Sequence, residues 1–183
     1  MNTLLIRERL REFPACDVRG SACIGGANSE YRYLLSRRWD DQHSPVVWIM
    51  LNPSTADADV DDATIRKCMR FAWLWGAGGI LVVNLYAWRV TKPAELVAAR
   101  RRGYDPIGPQ NNAYIAQVIS GATSVVCAWG ANAEPARVQE VVRILRGATE
   151  LGHAPAPQAL RFTGGGQPWH PLYIPYDTLL LDY

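Results

Sequence analysis

From Val46 onward, short apolar runs alternate along the chain with segments whose apolar residues recur at helical spacing. Residues 46–51, 80–84 and 124–129 are continuous apolar runs bounded by Gly, Pro or polar residues, the pattern of strands buried on both faces. A weaker run covers residues 160–163. Between the strands, Ile65, Cys68, Met69 and Ala72 fall at i, i+3, i+4 and i+7, and Val138, Val141, Val142 and Leu145 repeat the spacing, so both segments predict amphipathic helices. Residues 93–101 and 109–119 predict two more, each opened by a proline that costs nothing in a first turn. Ahead of this alternation, residues 21–24 and 31–39 flank a Gly-Gly-Ala-Asn-Ser turn and read as a β-hairpin packed on or beside the main sheet. Strand and helix in strict alternation predict an α/β domain with a mainly parallel sheet.

Composition narrows the class. The chain has 183 residues, 49% hydrophobic and 20% charged, enough apolar material for one core, which excludes disordered and fibrous proteins. One domain over residues 1–183 is expected, with the hairpin as an extension over about residues 18–39 and a surface loop at 152–157. No stretch reaches the roughly 18 consecutive apolar residues of a membrane span, and arginines interrupt the first residues where a signal sequence keeps an apolar run. The expectation is a cytoplasmic protein without a membrane partner. A net charge of +2 allows contact with phosphates but is far from the balance of a nucleic-acid coat protein. Cys16, Cys23, Cys68 and Cys127 form no C-x-x-C pair and are expected as buried free thiols; no metal or other cofactor is implied.

In parallel sheets ligands bind beyond the carboxyl ends of the strands. The segments leaving those ends are 52–57, 84–89, 129–132 and 163–171, and their polar side chains are expected to share one cleft. The acidic run Asp57, Asp59, Asp61, Asp62 starts like a calcium loop but has Asp62 where the turn glycine belongs and Cys68 where the bidentate glutamate belongs. Asp61, Asp62 and Thr64 read instead as the start of the next helix. Gly164-Gly165-Gly166-Gln167 lacks the Lys-Ser/Thr of a phosphate loop. Arg37, Arg38, Arg89, Lys92 and Arg100 to Arg102 are either phosphate contacts or a solvated face.

Leu51-Asn52-Pro53-Ser54 directly after an apolar strand, the run from Gly79 to Asn84, the run from Val125 to Gly130 and His170-Pro171 come in the order of the motifs of the uracil-DNA glycosylase superfamily, which this chain remotely resembles over about residues 46–172. Over nearly its whole length it is similar to a bacterial family of unknown function marked by NPSTAD, VVNL, AWG and GQPxHPLY. The glycosylase resemblance implies a three-layer α/β/α fold around a four-stranded, mainly parallel sheet. It also implies a nucleobase, nucleotide or nucleic-acid partner and metal-independent hydrolysis of an N-glycosidic bond. On that resemblance Asn52 orients the attacking water, which a carboxamide can do without acting as a base. His170 donates to O2 of the departing base, and Asn84 reads the edge of a flipped pyrimidine with a paired donor and acceptor. Pro53 fixes the turn and Ser54 joins the substrate contacts. The first motif has Met50-Leu51 where the superfamily has its glycine, and no aromatic follows through Asp62, so base stacking falls to Tyr86, Trp88 or Trp169. Leu172-Tyr173 after the His-Pro pair reads as a strand start or as a wedge into a base stack. Asn52, Asn84 and His170 are expected to converge on one cleft. Two other classes remain open: a catalytically silent nucleotide-binding module on the same fold, and a metal-dependent phosphate-ester enzyme built on the acidic run.

Overall fold

The structure is a computed structural model and describes residues 3–15 and 17–183. In chain order it contains α1 (Thr3–Arg11), β1 (Arg19–Gly25), β2 (Tyr31–Arg38), β3 (Pro45–Met50), α2 (Ala63–Leu74), β4 (Gly79–Asn84), α3 (Pro93–Arg101), α4 (Asn111–Ile119), β5 (Val125–Cys127), α5 (Pro135–Glu150), β6 (Gln158–Ala159), a single 3-10 turn (Pro171–Tyr173) and β7 (Leu181–Asp182). The strands form one mixed sheet in the order β1-β2-β4-β3-β5-β6-β7. β3 runs parallel to β4 and to β5, and β5 parallel to β6; β2 adds to β4 and β7 adds to β6 in the antiparallel sense. The hairpin is therefore one edge of the main sheet itself. No helix among the described residues is long and apolar enough to cross a membrane.

The continuous apolar runs follow from two covered faces. Along β3, Val46, Trp48 and Met50 enter one core with α2 residues Ile65, Cys68 and Phe71, while Val47, Ile49 and the following Leu51 enter a second core with Ile115 of α4 and Val138, Val141 and Leu145 of α5. Burial raises the pKa of the Cys68 and Cys127 thiols, and Cys23 is a half-buried free thiol; Cys16 lies outside the described residues.

The helix α1 and the strand β7 are absent from the sequence pattern, and two predicted elements differ from it. The last predicted strand, β6, pairs through Gln158 and Ala159, not through residues 160–163. The reason is where the next backbone groups bond: Trp169 N–H donates to Arg161 O, and Thr163 N–H to Gln167 O, so residues 161–169 fold back on themselves and leave the ladder. Leu172-Tyr173, read as a strand start or a wedge, belongs to the 3-10 turn Pro171–Tyr173, which suits Pro171 in its first position because proline has no N–H to leave unbonded.

Candidate functional site

The loop after β3, residues 52–62, is built by β2. Cys23 pairs with Leu34 and Ile24 with Arg32, so Tyr33 is an extra residue in the hairpin ladder. The bulge turns Arg32 toward the loop, where its Nη1 donates to Ala56 O. Buried Arg37 donates through Nε to Asp61 Oδ1 at 2.7 Å and through Nη2 to Asp57 O at 2.6 Å. Gly20 of β1 lets the loop close in, since a Cβ there would stand 2.2 Å from Ala58 O. The acidic run is divided among local tasks. Asp57 Oδ1 accepts the N–H groups of Asp59 and Val60, Asp61 pairs with Arg37, and Asp62 caps α2 by accepting Ile65 N–H at 2.9 Å. Among the described residues no three His, Cys, Asp or Glu side chains gather as a metal would need. Arg37, one of the candidate phosphate contacts, is thus a structural residue; Arg38 pairs with Asp41 and Arg100 with Glu134.

A cavity of about 500 Å³ opens at the carboxyl ends of β3 and β5, and Asn52, Ser54, Trp169 and His170 all line it. A cleft of that volume suits a ligand the size of a nucleotide. Asn52 Nδ2 donates to Val90 O at 2.6 Å and to Pro53 O at 3.0 Å, and Val90 N–H returns a bond to Pro53 O. Two carbonyls fix the amide nitrogen there, so the Asn52 carboxamide joins the loops after β3 and β4 and keeps Oδ1 as its remaining acceptor. His170 precedes the 3-10 turn and its Nδ1 accepts a long bond, 3.4 Å, from Leu172 N–H. A neutral ring in that tautomer carries its proton on Nε2, as a donor. Water reaches the imidazole, yet it stands in a concave wall whose bulk lowers its pKa below 6.5, with the Asp62 charge acting in the opposite sense. Trp169 offers one ring face, the Arg161 guanidinium standing 5.1 Å from the ring centre. Tyr173 stands at the rim, 87% exposed.

Two predictions follow from Asp62, which caps α2 from the cavity wall. Asp62→Ala should cost about 1 kcal/mol in urea unfolding, whereas Asp62→Asn keeps a capping oxygen and should stay within a few tenths. Asp62→Asn also removes the charge that favours protonated His170, so the His170 NMR titration midpoint, itself below 6.5, should fall further. Because the unfolded imidazole binds its proton first as pH drops, stability should decline from about pH 6.5 down to the folded midpoint, and His170→Ala should flatten that decline. An unmoved midpoint in Asp62→Asn would separate the two side chains electrostatically.

The other sequence-predicted residues are not on this wall. Asn84 ends β4 beside Met50, on the sheet face that carries the cavity, but it is fully buried behind the lining and neither carboxamide atom has a partner. Asn52 and His170 thus share the cavity, and Asn84 does not line it. Pro53 is buried and contributes its carbonyl to the loop junction. Tyr86 belongs to the opposite core and accepts Glu134 N–H, and Trp88 packs on Tyr31 and Tyr104, so of the three aromatics only Trp169 reaches the cleft. Of the glycine loop, Thr163 lines the cavity and the three glycines do not.

Trp129 and Asn132 of segment 129–132, expected at the cleft though given no role, and Arg32, which the sequence pattern did not single out, complete the wall. Trp129 is buried there, its indole N–H donating to Gln167 Oε1 at 2.8 Å and its ring edge-on to Tyr183. Asn132, five residues after Cys127 of β5, presents a second carboxamide. Arg32 lines the cavity although it is 2% exposed, and burial lowers its pKa to about 10, so it stays charged at neutral pH. The signal was a lone arginine inside the apolar run Tyr-Arg-Tyr-Leu-Leu.

A mixed α/β sheet with a polar, aromatic-edged cleft at its strand ends defines the class by fold alone. Residues 32–172, from Arg32 to the residue after His170-Pro171, match the family described as "Protein of unknown function (DUF1643)", and the chain belongs to that family. Comparison with curated proteins and with solved structures gave no match.

Proposed function

We propose that the cleft recognises a nucleobase or nucleotide on a uracil-DNA glycosylase-like fold, with a central four-stranded parallel unit between two helical layers, and that it hydrolyses an N-glycosidic bond in damaged or modified nucleic acid. One observation carries the reading: Asn52 and His170, far apart in sequence, face one cavity with an acceptor oxygen and a neutral N–H donor in complementary roles. As the C1′–N bond breaks, its electron pair leaves with the base, and the His170 Nε2–H group stabilises the charge growing on the base oxygen. Asn52 Oδ1 orients water toward C1′ of the cationic sugar, where little nucleophile activation is needed. Trp169 supplies the stacking surface. Since Asn84 stands behind the wall, the base edge falls to Asn132, whose carboxamide offers the same donor and acceptor pair.

That same placement of Asn84 favours a second reading, a catalytically silent module that binds nucleotides without cutting them. Single-turnover assays in EDTA with oligonucleotides containing uracil and other modified bases separate the two. Cleavage supports the glycosylase, base binding without cleavage supports the silent module, and activity abolished by EDTA would return the acidic loop to consideration.

A further inference from the structure

Three arginines are buried among the described residues: Arg32, Arg37 and Arg137. Two have a carboxylate partner, Arg37 with Asp61 and Arg137 with Glu140, each at 2.7 Å. Arg32 has none among the described residues. Its one bond is to a backbone carbonyl, its Nε has no partner, and it is the arginine of the three that lines the cleft. A buried charge without a salt-bridge partner is costly, and an anionic ligand in the cleft would supply that partner. Its surroundings suit an anion. Thr64 in the first turn of the twelve-residue helix α2 and the hydroxyls of Ser54 and Thr91 share the wall with Arg32, so neutral donors and a positive helix end face the same space. Asp62 and Asp57 act on Arg32 from beyond salt-bridge distance, and each is engaged by backbone N–H groups, Asp62 by that of Ile65 and Asp57 by those of Asp59 and Val60.

We propose that Arg32 is the counter-ion site for a terminal phosphate, so that the ligand is a nucleotide carrying a phosphate monoester, free or at the end of a nucleic-acid strand, and not a free base or a nucleoside. Arg32 lies in the inner wall with almost no solvent contact. An internal phosphodiester would have to pass two ester arms through that wall, whereas a monoester brings one. The proposal rests on the nucleotide reading for the rest of the ligand and stands apart from it for the phosphate.

The test compares 2′-deoxyuridine with its 5′-monophosphate by calorimetry, and inorganic phosphate with acetate and chloride by thermal shift at matched ionic strength, on wild type, Arg32→Lys and Arg32→Gln. Each variant is read against its own ligand-free melting temperature, so a change in basal stability does not enter. One charge-assisted contact predicts that wild type binds the monophosphate about tenfold or more tightly than the nucleoside. Phosphate should stabilise the wild type, the preference should fall in Arg32→Lys, and it should vanish in Arg32→Gln. Equal binding of nucleoside and monophosphate, or a phosphate shift that persists in Arg32→Gln, would overturn the assignment while leaving base recognition intact. Acetate matching phosphate would overturn it in favour of a carboxylate ligand. Phosphate binding without any nucleoside selectivity would uphold Arg32 and sink the base reading, and no binding at millimolar concentration would sink both.

Discussion

Under the proposed hydrolysis, replacing His170 with alanine should lower single-turnover cleavage about 10²- to 10³-fold, the usual loss when one preorganised donor to a developing oxyanion is removed. Substrate dissociation constants should change far less, because the departing base carries little negative charge until the bond is breaking, so the donor is used mainly in the transition state. The geometry gives the donor its direction: the Leu172 N–H on Nδ1 assigns the proton to Nε2, and the lowered pKa keeps the ring neutral near pH 7. Asn132→Ala should behave differently, weakening discrimination among bases in binding and in rate alike, since a carboxamide on the base edge acts before and during the reaction. If His170→Ala weakened binding and rate by the same factor, the imidazole would be a ground-state contact and not the donor to a leaving group.

Removing the carboxylate of Asp61 should be the most damaging single change to stability in the loop that bears the site. Arg37 is 3% exposed and would be left charged inside the protein. Stripping one partner from a buried pair costs about 3 to 5 kcal/mol, and the low end applies because Asp61 itself keeps some contact with water. Asp61→Ala should therefore lose about 3 kcal/mol, which for a domain of this size lowers the melting temperature by roughly 6 to 12 °C. Asp61→Asn retains an acceptor for Arg37 Nε and should lose markedly less. Because Arg37 also holds the carbonyls of Asp57 and Val60, the damage should extend to ligand affinity in the cleft. A drop in melting temperature of a degree or two would mean that the loop is held by something other than this pair.

What the sequence made legible was what periodicity encodes. The runs at Val46, Ile80 and Val125 are strands because both their faces are covered, and the helical spacing of Ile65, Cys68, Met69 and Ala72 lies against one of those faces. The capping role of Asp62 was readable for the same reason, being a local matter of an acidic residue before an amphipathic run. Long-range pairing was not legible. Nothing local in residues 160–163 records that their backbone bonds go to residues 167–169, and nothing near Tyr33 announces the bulge that turns Arg32 into the cleft. The motifs placed Asn52 and His170 on one cavity, where their spacing along the chain offered no local reason to meet. Asn84 does not line the cavity, because a strand-end position fixes the sheet face but not the exposure of the side chain. Arg37 and Arg32 looked like any other cations until their carboxylate partners, present for one and absent for the other, set them apart.

The most direct test of the account is a crystal structure of the protein with bound 2′-deoxyuridine 5′-monophosphate. The base ring should lie against Trp169, its O2 within about 2.6–3.2 Å of His170 Nε2, with C1′ on the side of the cleft facing Asn52 Oδ1. A well-ordered base outside this cavity, or inside it with its edge turned away from His170, would contradict it.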